Sequence, residues 1–83
     1  MEIRFQPKAA RQLGRLPANV ARLIRSKIDQ LATDPAALAN NIKALKGEPG
    51  MFRLRVGDWR VIYSEDGVVI EIIRIAPRGS AYD

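Results

Sequence analysis

Residues 52–63 read FRLRVGDWRVIY, and the pattern in this stretch decides the fold. Phe52, Leu54 and Val56 alternate with Arg53, Arg55 and Gly57, the period-two signature of a strand with one face in a core and the other outside. Gly57-Asp58 reads as a tight turn, and Trp59 to Tyr63 as the returning strand. A hairpin of this kind displays Arg53, Arg55 and Arg60 together on a small rigid surface. Their planar guanidiniums suit phosphate, whose oxygens they bind bidentately.

Working outward, Asp66-Gly67 is a favoured tight-hairpin dipeptide and leads into the apolar run Val68 to Ile75. Val68, Ile70 and Ile72 fall on one face of that strand and Val69, Ile73 and Ile75 on the other. A strand apolar on both faces is expected in the interior of the sheet. Toward the N-terminus, Ile3 and Phe5 alternate with Glu2, Arg4 and Gln6 in a short strand closed by Pro7. A first helix is expected over Lys8 to about Leu13, ended by Gly14. Pro17 opens a second, in which Val20, Leu23, Ile24, Ile28 and Leu31 form an apolar stripe. Thr33, Asp34 and Pro35 stop it, because the residue before a proline is pushed out of the α region. Ala36 to Lys46 is ambiguous, with a short helical turn over Leu38 and Ile42 as one reading, and Gly47 to Gly50 is a loop. The expected fold class is α+β. An N-terminal strand, a two-helix hairpin and an antiparallel three-stranded meander form one sheet with helices on one face, in a single domain over residues 1–83. The first strand is expected to join the meander, since its backbone groups would otherwise lack partners. Its neighbour is left open.

Hydrophobic residues make up 47% of the 83-residue chain, ample for one small core. Cysteine and histidine are both absent. That excludes disulfides, thiolate or imidazole metal sites and the commonest general acid-base. No metal or other cofactor is expected, and hydrolytic chemistry would fall to Arg, Lys, Tyr, Asp or Glu. Glu2, Arg4, Pro7 and Lys8 interrupt the N-terminal region where a signal peptide needs an apolar run, and no segment is a membrane span. A cytoplasmic protein is expected. The net charge of +5 favours an acidic partner, whether nucleic acid or acidic protein.

The β-α-α-β-β-β order, KALKG at Lys43 to Gly47, RLRVGDWRVIY at Arg53 to Tyr63, and PRGSAY at Pro77 to Tyr82 together resemble the RelE/ParE superfamily of bacterial toxins, nearly end to end. The resemblance implies one of two activities. The RelE branch implies a ribosome-dependent endoribonuclease that cuts mRNA in the decoding site; the ParE branch implies a poison of DNA gyrase. Either is held silent by a cognate antitoxin, RelB-like in the first case, in a hetero-oligomer. On the RelE pattern, Arg60 matches the hairpin arginine, and Arg78 and Tyr82 match the C-terminal arginine and tyrosine. These three are the implied catalytic residues. Arg53 and Arg55 stand where that branch carries basic residues on the hairpin strand, although its best-known members use lysine there. With Lys43 and Lys46 they are the candidate RNA-binding residues. A toxin that has decayed to antitoxin binding alone is a third reading.

Cleavage of RNA without metal or histidine requires the substrate's own 2′-hydroxyl to attack the adjacent phosphate. The protein then has to orient, neutralise and move protons. Arginines do the first two but hold their own protons, so neither Arg53 nor Arg55 serves as a base. Tyr82 would accept a proton only with a lowered pKa, which an arginine-rich environment favours; the alternative is stacking on a base. Trp59 reads as a cross-strand packing residue, Asp58 as a turn residue, and Arg11, Arg15, Arg22, Arg25 and Lys27 as the solvated side of the helices.

Overall fold

The computed structural model describes residues 1–79. Strand β1 (Glu2–Phe5) is followed by helices α1 (Pro7–Gly14) and α2 (Ala18–Thr33), a 3-10 helix (Pro35–Asn41), and strands β2 (Ile42–Ala44), β3 (Met51–Val56), β4 (Trp59–Glu65) and β5 (Val69–Pro77). The strands form one sheet in the order β1-β5-β4-β3-β2. Every neighbouring pair is antiparallel except β1 and β5, which run parallel. The expected α+β class and meander are therefore present, with β5 interior to the sheet. The neighbour of the first strand is β5.

The ambiguous segment resolves into two elements. Pro35 starts the 3-10 helix and Leu38 is buried beneath it, whereas Ile42 belongs to a strand and not to a helical turn. Three residues are too few for alternation to be read locally. Ile42, Lys43 and Ala44 become a strand by pairing with Leu54, Arg53 and Phe52 of β3, a tertiary effect that propensity does not capture.

One face of the sheet carries the core. Leu54, Val56, Val61, Tyr63, Ile70, Ile72 and Ile75 pack against Ala9 and Leu13 of α1 and Ile24, Ile28 and Leu31 of α2. Trp59 is half-buried against this cluster, in the packing role expected of it. Leu23 is not part of the stripe: it is 48% exposed, and Ala32 is buried in the helix's last turn instead. Lys27 is half-buried, while Arg11, Arg15, Arg22 and Arg25 are exposed. Arg25 lies over the Phe5 ring, 5.7 Å from its centroid.

The period-two assignment of the last strand needs two corrections. Val68 precedes β5 and is 68% exposed. More importantly, Tyr63 pairs with Ile72 but Ile62 pairs with Arg74, so Ile73 is an extra residue in β5. This bulge reverses the alternation, as an inserted residue must. Ile75 therefore joins Ile70 and Ile72 on the core face instead of opposing them. Beyond the end of β1, the backbone of β5 finds another partner: the Ile75 N–H donates to the Gln12 side-chain oxygen of α1 at 2.7 Å.

Candidate functional site

With one face covered by helices, the alternate residues of β2 to β5 form an open face, and the pairing registers place them in transverse rows. Lys43, Arg53, Ile62 and Arg74 make one row. Arg55, Arg60 and Ala76 make the next, toward the Gly57-Asp58 turn. Adjacent members of a row are about one strand spacing apart, ~4.8 Å. The three hairpin arginines are thus together, as their spacing predicts, and two further cations join them.

Arg55 and Arg60 are directly opposed, and like charges across a ladder repel. The two side chains separate. Arg55 is exposed, whereas Arg60 is 7% exposed and its Nη1 donates to the carbonyls of Gly57 at 2.9 Å and Trp59 at 3.0 Å. Those two carbonyls account for the Nη1 protons among the five N–H donors of the group. Arg60 therefore clamps the turn whose glycine, Gly57, adopts φ +58. Arg53 and Arg74 are half-buried, with their Nε atoms shielded from solvent. Between them Ile62 is 1% exposed, and Ala76 beside it is also buried.

Arg78 is carried to the same end of the sheet. Its N–H donates to the Asp58 carbonyl at 2.7 Å, which ties the segment after β5 to the hairpin turn and gives Asp58 the turn role expected of it. The side chain of Arg78 is exposed. Lys46 is elsewhere: it lies in the turn between β2 and β3, at the end of the hairpin opposite Gly57-Asp58. Tyr82 lies outside the described residues. The hairpin's own tyrosine, Tyr63, faces the core and stacks on Phe52 with ring centroids 5.4 Å apart. Burial, reinforced by the negative charge of Glu65, pushes its pKa up to about 12, so it is no proton acceptor near neutral pH.

The open face is polarised. Its far end holds a depression of about 350 Å³ lined by Arg4, Met51, Ser64, Glu65, Asp66 and Glu71. Arg4 is paired there with Glu2 at 2.8 Å. Hydrogen bonds from the Val69 and Val68 N–H groups hold the Asp66 carboxyl below the usual carboxylate range. A polyanion would accordingly be repelled from this end and drawn to the arginines. Among the described residues no group of acidic side chains is arranged to hold a metal ion, and no helix is long and apolar enough to cross a membrane.

Arg74 was not identified from the sequence, yet a signal for it exists. Glu71 and Arg74 are three apart in a run otherwise apolar. On a regular strand, residues an odd number apart point to opposite faces, so one of the two charges would enter the core. A bulge between them is what avoids that.

Comparison with known proteins accords with this architecture. The chain matches the family described as the ParE toxin of the type II toxin-antitoxin system parDE, over residues 3–82. No curated protein matches it. Among solved structures, the archaeal RelE-RelB complex from Pyrococcus horikoshii OT3 is similar at 29% identity and a TM-score of 0.80, over 96% of this chain and 97% of the matched one. The RelB-RelE antitoxin-toxin complex from Methanococcus jannaschii is similar at 25% identity and a TM-score of 0.76, over 96% and 95%. The isolated E. coli RelE toxin, at 18% identity and a TM-score of 0.78 over 96% and 86%, shares the fold. A five-stranded sheet with a helix pair on one face and arginines on the other, matched from Ile3 almost to the last residue, places the chain in the ParE toxin family of type II toxin-antitoxin systems, within the RelE/ParE superfamily.

Proposed function

We propose that this toxin acts as a ribosome-dependent mRNA endoribonuclease without a metal cofactor. The observation that carries the proposal is the open sheet face, on which Arg53, Arg55, Arg60 and Arg74 lie with Lys43 in adjacent rows and Arg78 is anchored at the same end. Such a surface matches the phosphodiester in charge and in hydrogen-bonding geometry.

The reaction assigned to it is a transesterification. The 2′-oxygen forms a bond to the adjacent phosphorus, the bond from phosphorus to the 5′-oxygen breaks, and the 2′-hydroxyl proton leaves as the 5′-oxygen gains one. The products are a 2′,3′-cyclic phosphate and a 5′-hydroxyl. Extra negative charge builds on the phosphoryl oxygens in the transition state, and fixed guanidiniums stabilise it without reorganising. Arg78, whose backbone is held but whose side chain is exposed, is assigned that contact. Arg60 contributes through the same face while holding the turn in place. Tyr82 is assigned either proton transfer or base stacking, and Tyr82→Phe separates the two: cleavage lost with Phe marks the hydroxyl, whereas cleavage retained with Phe and lost with Ala marks the ring.

The partner in this proposal is an antitoxin, as RelB is of RelE in the similar archaeal complexes. The toxin's net charge of +5 favours an acidic segment that covers the arginine face, with faster association at low salt. Single-turnover cleavage of mRNA on programmed ribosomes tests the activity. Arg78→Ala should lower the rate roughly a hundred- to thousand-fold, about 3–4 kcal/mol of transition-state stabilisation. A second reading, a gyrase poison that uses the basic surface for docking alone, is favoured by the match to the ParE family. Wild type that cuts nothing on ribosomes while its expression blocks replication would select it.

A further inference from the structure

We infer that Arg74 is a substrate-contacting residue of the arginine face, one that binds the sugar-phosphate backbone of single-stranded RNA from the β5 side. The inference rests on the endoribonuclease reading above and extends it to a residue that neither the hairpin motif nor the C-terminal motif contains.

The placement of Arg74 depends on the bulge. Without the extra Ile73, Arg74 would follow Ile70 and Ile72 into the core beneath the helices. With it, Arg74 stands across Ile62 from Arg53, in the row that continues to Lys43. Bulges interrupt the hydrogen-bond ladder, and a recurrent use of that interruption is to re-aim a side chain at a site. Here the re-aimed side chain is a fourth guanidinium on the face that already carries Arg53, Arg55 and Arg60.

The geometry of the row gives the contact its character. Arg53 and Arg74 are two strands apart, about 10 Å between backbones. Ile62, 1% exposed, fills the interval. Lys43 and Arg53 therefore lie on the β2-β3 side of this buried residue and Arg74 on its β5 side. A strand of RNA laid over the row meets cations from both sides, as an extended polyanion requires and a lone phosphate does not. The Nε atoms of Arg53 and Arg74 are shielded from solvent, so the stem of each side chain lies against the sheet on its side of Ile62.

A purely structural role, in which the stem of Arg74 covers the sheet and its charge is incidental, makes a different prediction. The test is binding of the purified chain to a short single-stranded RNA by fluorescence anisotropy across a salt series. Each phosphate contact contributes roughly 0.7 to the slope of log affinity against log salt for single strands. Arg74→Met, which keeps an apolar stem, should lower the magnitude of the slope by about 0.7, while Arg74→Lys should keep it. Arg22→Met, on the exposed side of α2, is the control and should leave the slope unchanged. Thermal melting checks that each variant is folded; if Arg74→Met is not, Arg74→Gln takes its place and Arg74→Lys remains informative. An unchanged slope in the neutral variant overturns the inference, as does an equal loss in Arg22→Met, which would make the slope a report of net charge. Wild type that binds RNA with an Arg74-dependent slope but cuts nothing on ribosomes defeats the nuclease reading and leaves the inference standing. Wild type that binds no RNA at any salt defeats both.

Discussion

Replacing Arg60 by alanine should unfold the protein far more readily than its place on a charged face suggests. Two hydrogen bonds from a cationic donor reach the turn carbonyls of Gly57 and Trp59, and bonds of this class are each worth about 1.5–3 kcal/mol net. Gly57 is exposed, so its carbonyl can take up water, and the pair together is placed near the lower end, about 2–3 kcal/mol. The alkyl stem adds about 1 kcal/mol, because the residue is only 7% exposed and its methylenes cover neighbours. The sum, about 3–4 kcal/mol, is large beside the roughly 4–12 kcal/mol expected for a chain of 83 residues. At about 4–8 °C per kcal/mol the melting temperature should fall by roughly 12–30 °C. Thermal and urea unfolding followed by circular dichroism measure this, with Arg55→Ala as the paired control. Arg55 is exposed and opposed to a like charge, so its removal should be neutral or stabilising by up to about 1 kcal/mol. If Arg60→Ala melts within about 3 °C of wild type, the clamp on the turn contributes nothing. Loss of cleavage in that variant would then report chemistry alone.

Three other substitutions probe separate parts of the scaffold. Gly57→Ala should cost about 1–2 kcal/mol in urea denaturation, a purely backbone effect, since φ is +58 and an added Cβ meets nothing within 4 Å; Gly57→Asn should cost less. Gln12→Leu removes the acceptor for the Ile75 N–H and should destabilise by about 1–3 kcal/mol, with faster amide exchange at Ile75. Tyr63 retains its proton more strongly when folded, with a pKa of about 12 against the ordinary tyrosine value of 10.0. Above the lower value the unfolded chain binds fewer protons than the folded one, so stability should be constant below about pH 10 and decline as pH rises toward 12. Tyr63→Phe should remove that component of the alkaline decline in denaturation curves taken across the range.

The hairpin was legible because its signals are local and agree with one another. Alternation from Phe52 to Val56, a glycine at the turn and a tryptophan that packs inward left one register open, and that register sets Arg53, Arg55 and Arg60 on one face. β2 was not legible, because three residues carry no period and the strand exists through its partner. Ile75 was set on the wrong face, and Arg74 went unidentified, because strict alternation was applied across Ile73, which interrupts it, although Glu71 three positions before Arg74 carried the warning. The burial of Arg60 was equally out of reach: sequence shows a cation opposite a cation, while its two bonds to the turn depend on the backbone curl that Gly57 permits. Lys43 and Lys46 looked equivalent by composition, yet strand pairing keeps only the first beside the arginines.

The parallel pairing of β1 with β5 sets an order on synthesis. Glu2 to Phe5 leave the peptidyl transferase centre long before their partners Val69 to Ile72. Until β5 emerges, β4 lacks the strand on its outer side, and Ile70, Ile72 and Ile75 are missing from the core. Long-range pairing brings no stabilisation before its loop is closed. A chain still being translated is therefore expected to be unable to assemble the face on which Arg53 and Arg74 flank Ile62, and if its target is the ribosome, as proposed, it would be inert toward the one making it. Nascent chains arrested just before Val69 should be digested rapidly by protease, whereas released full-length chains should resist. Equal resistance of the two would show that the first four strands fold without the fifth.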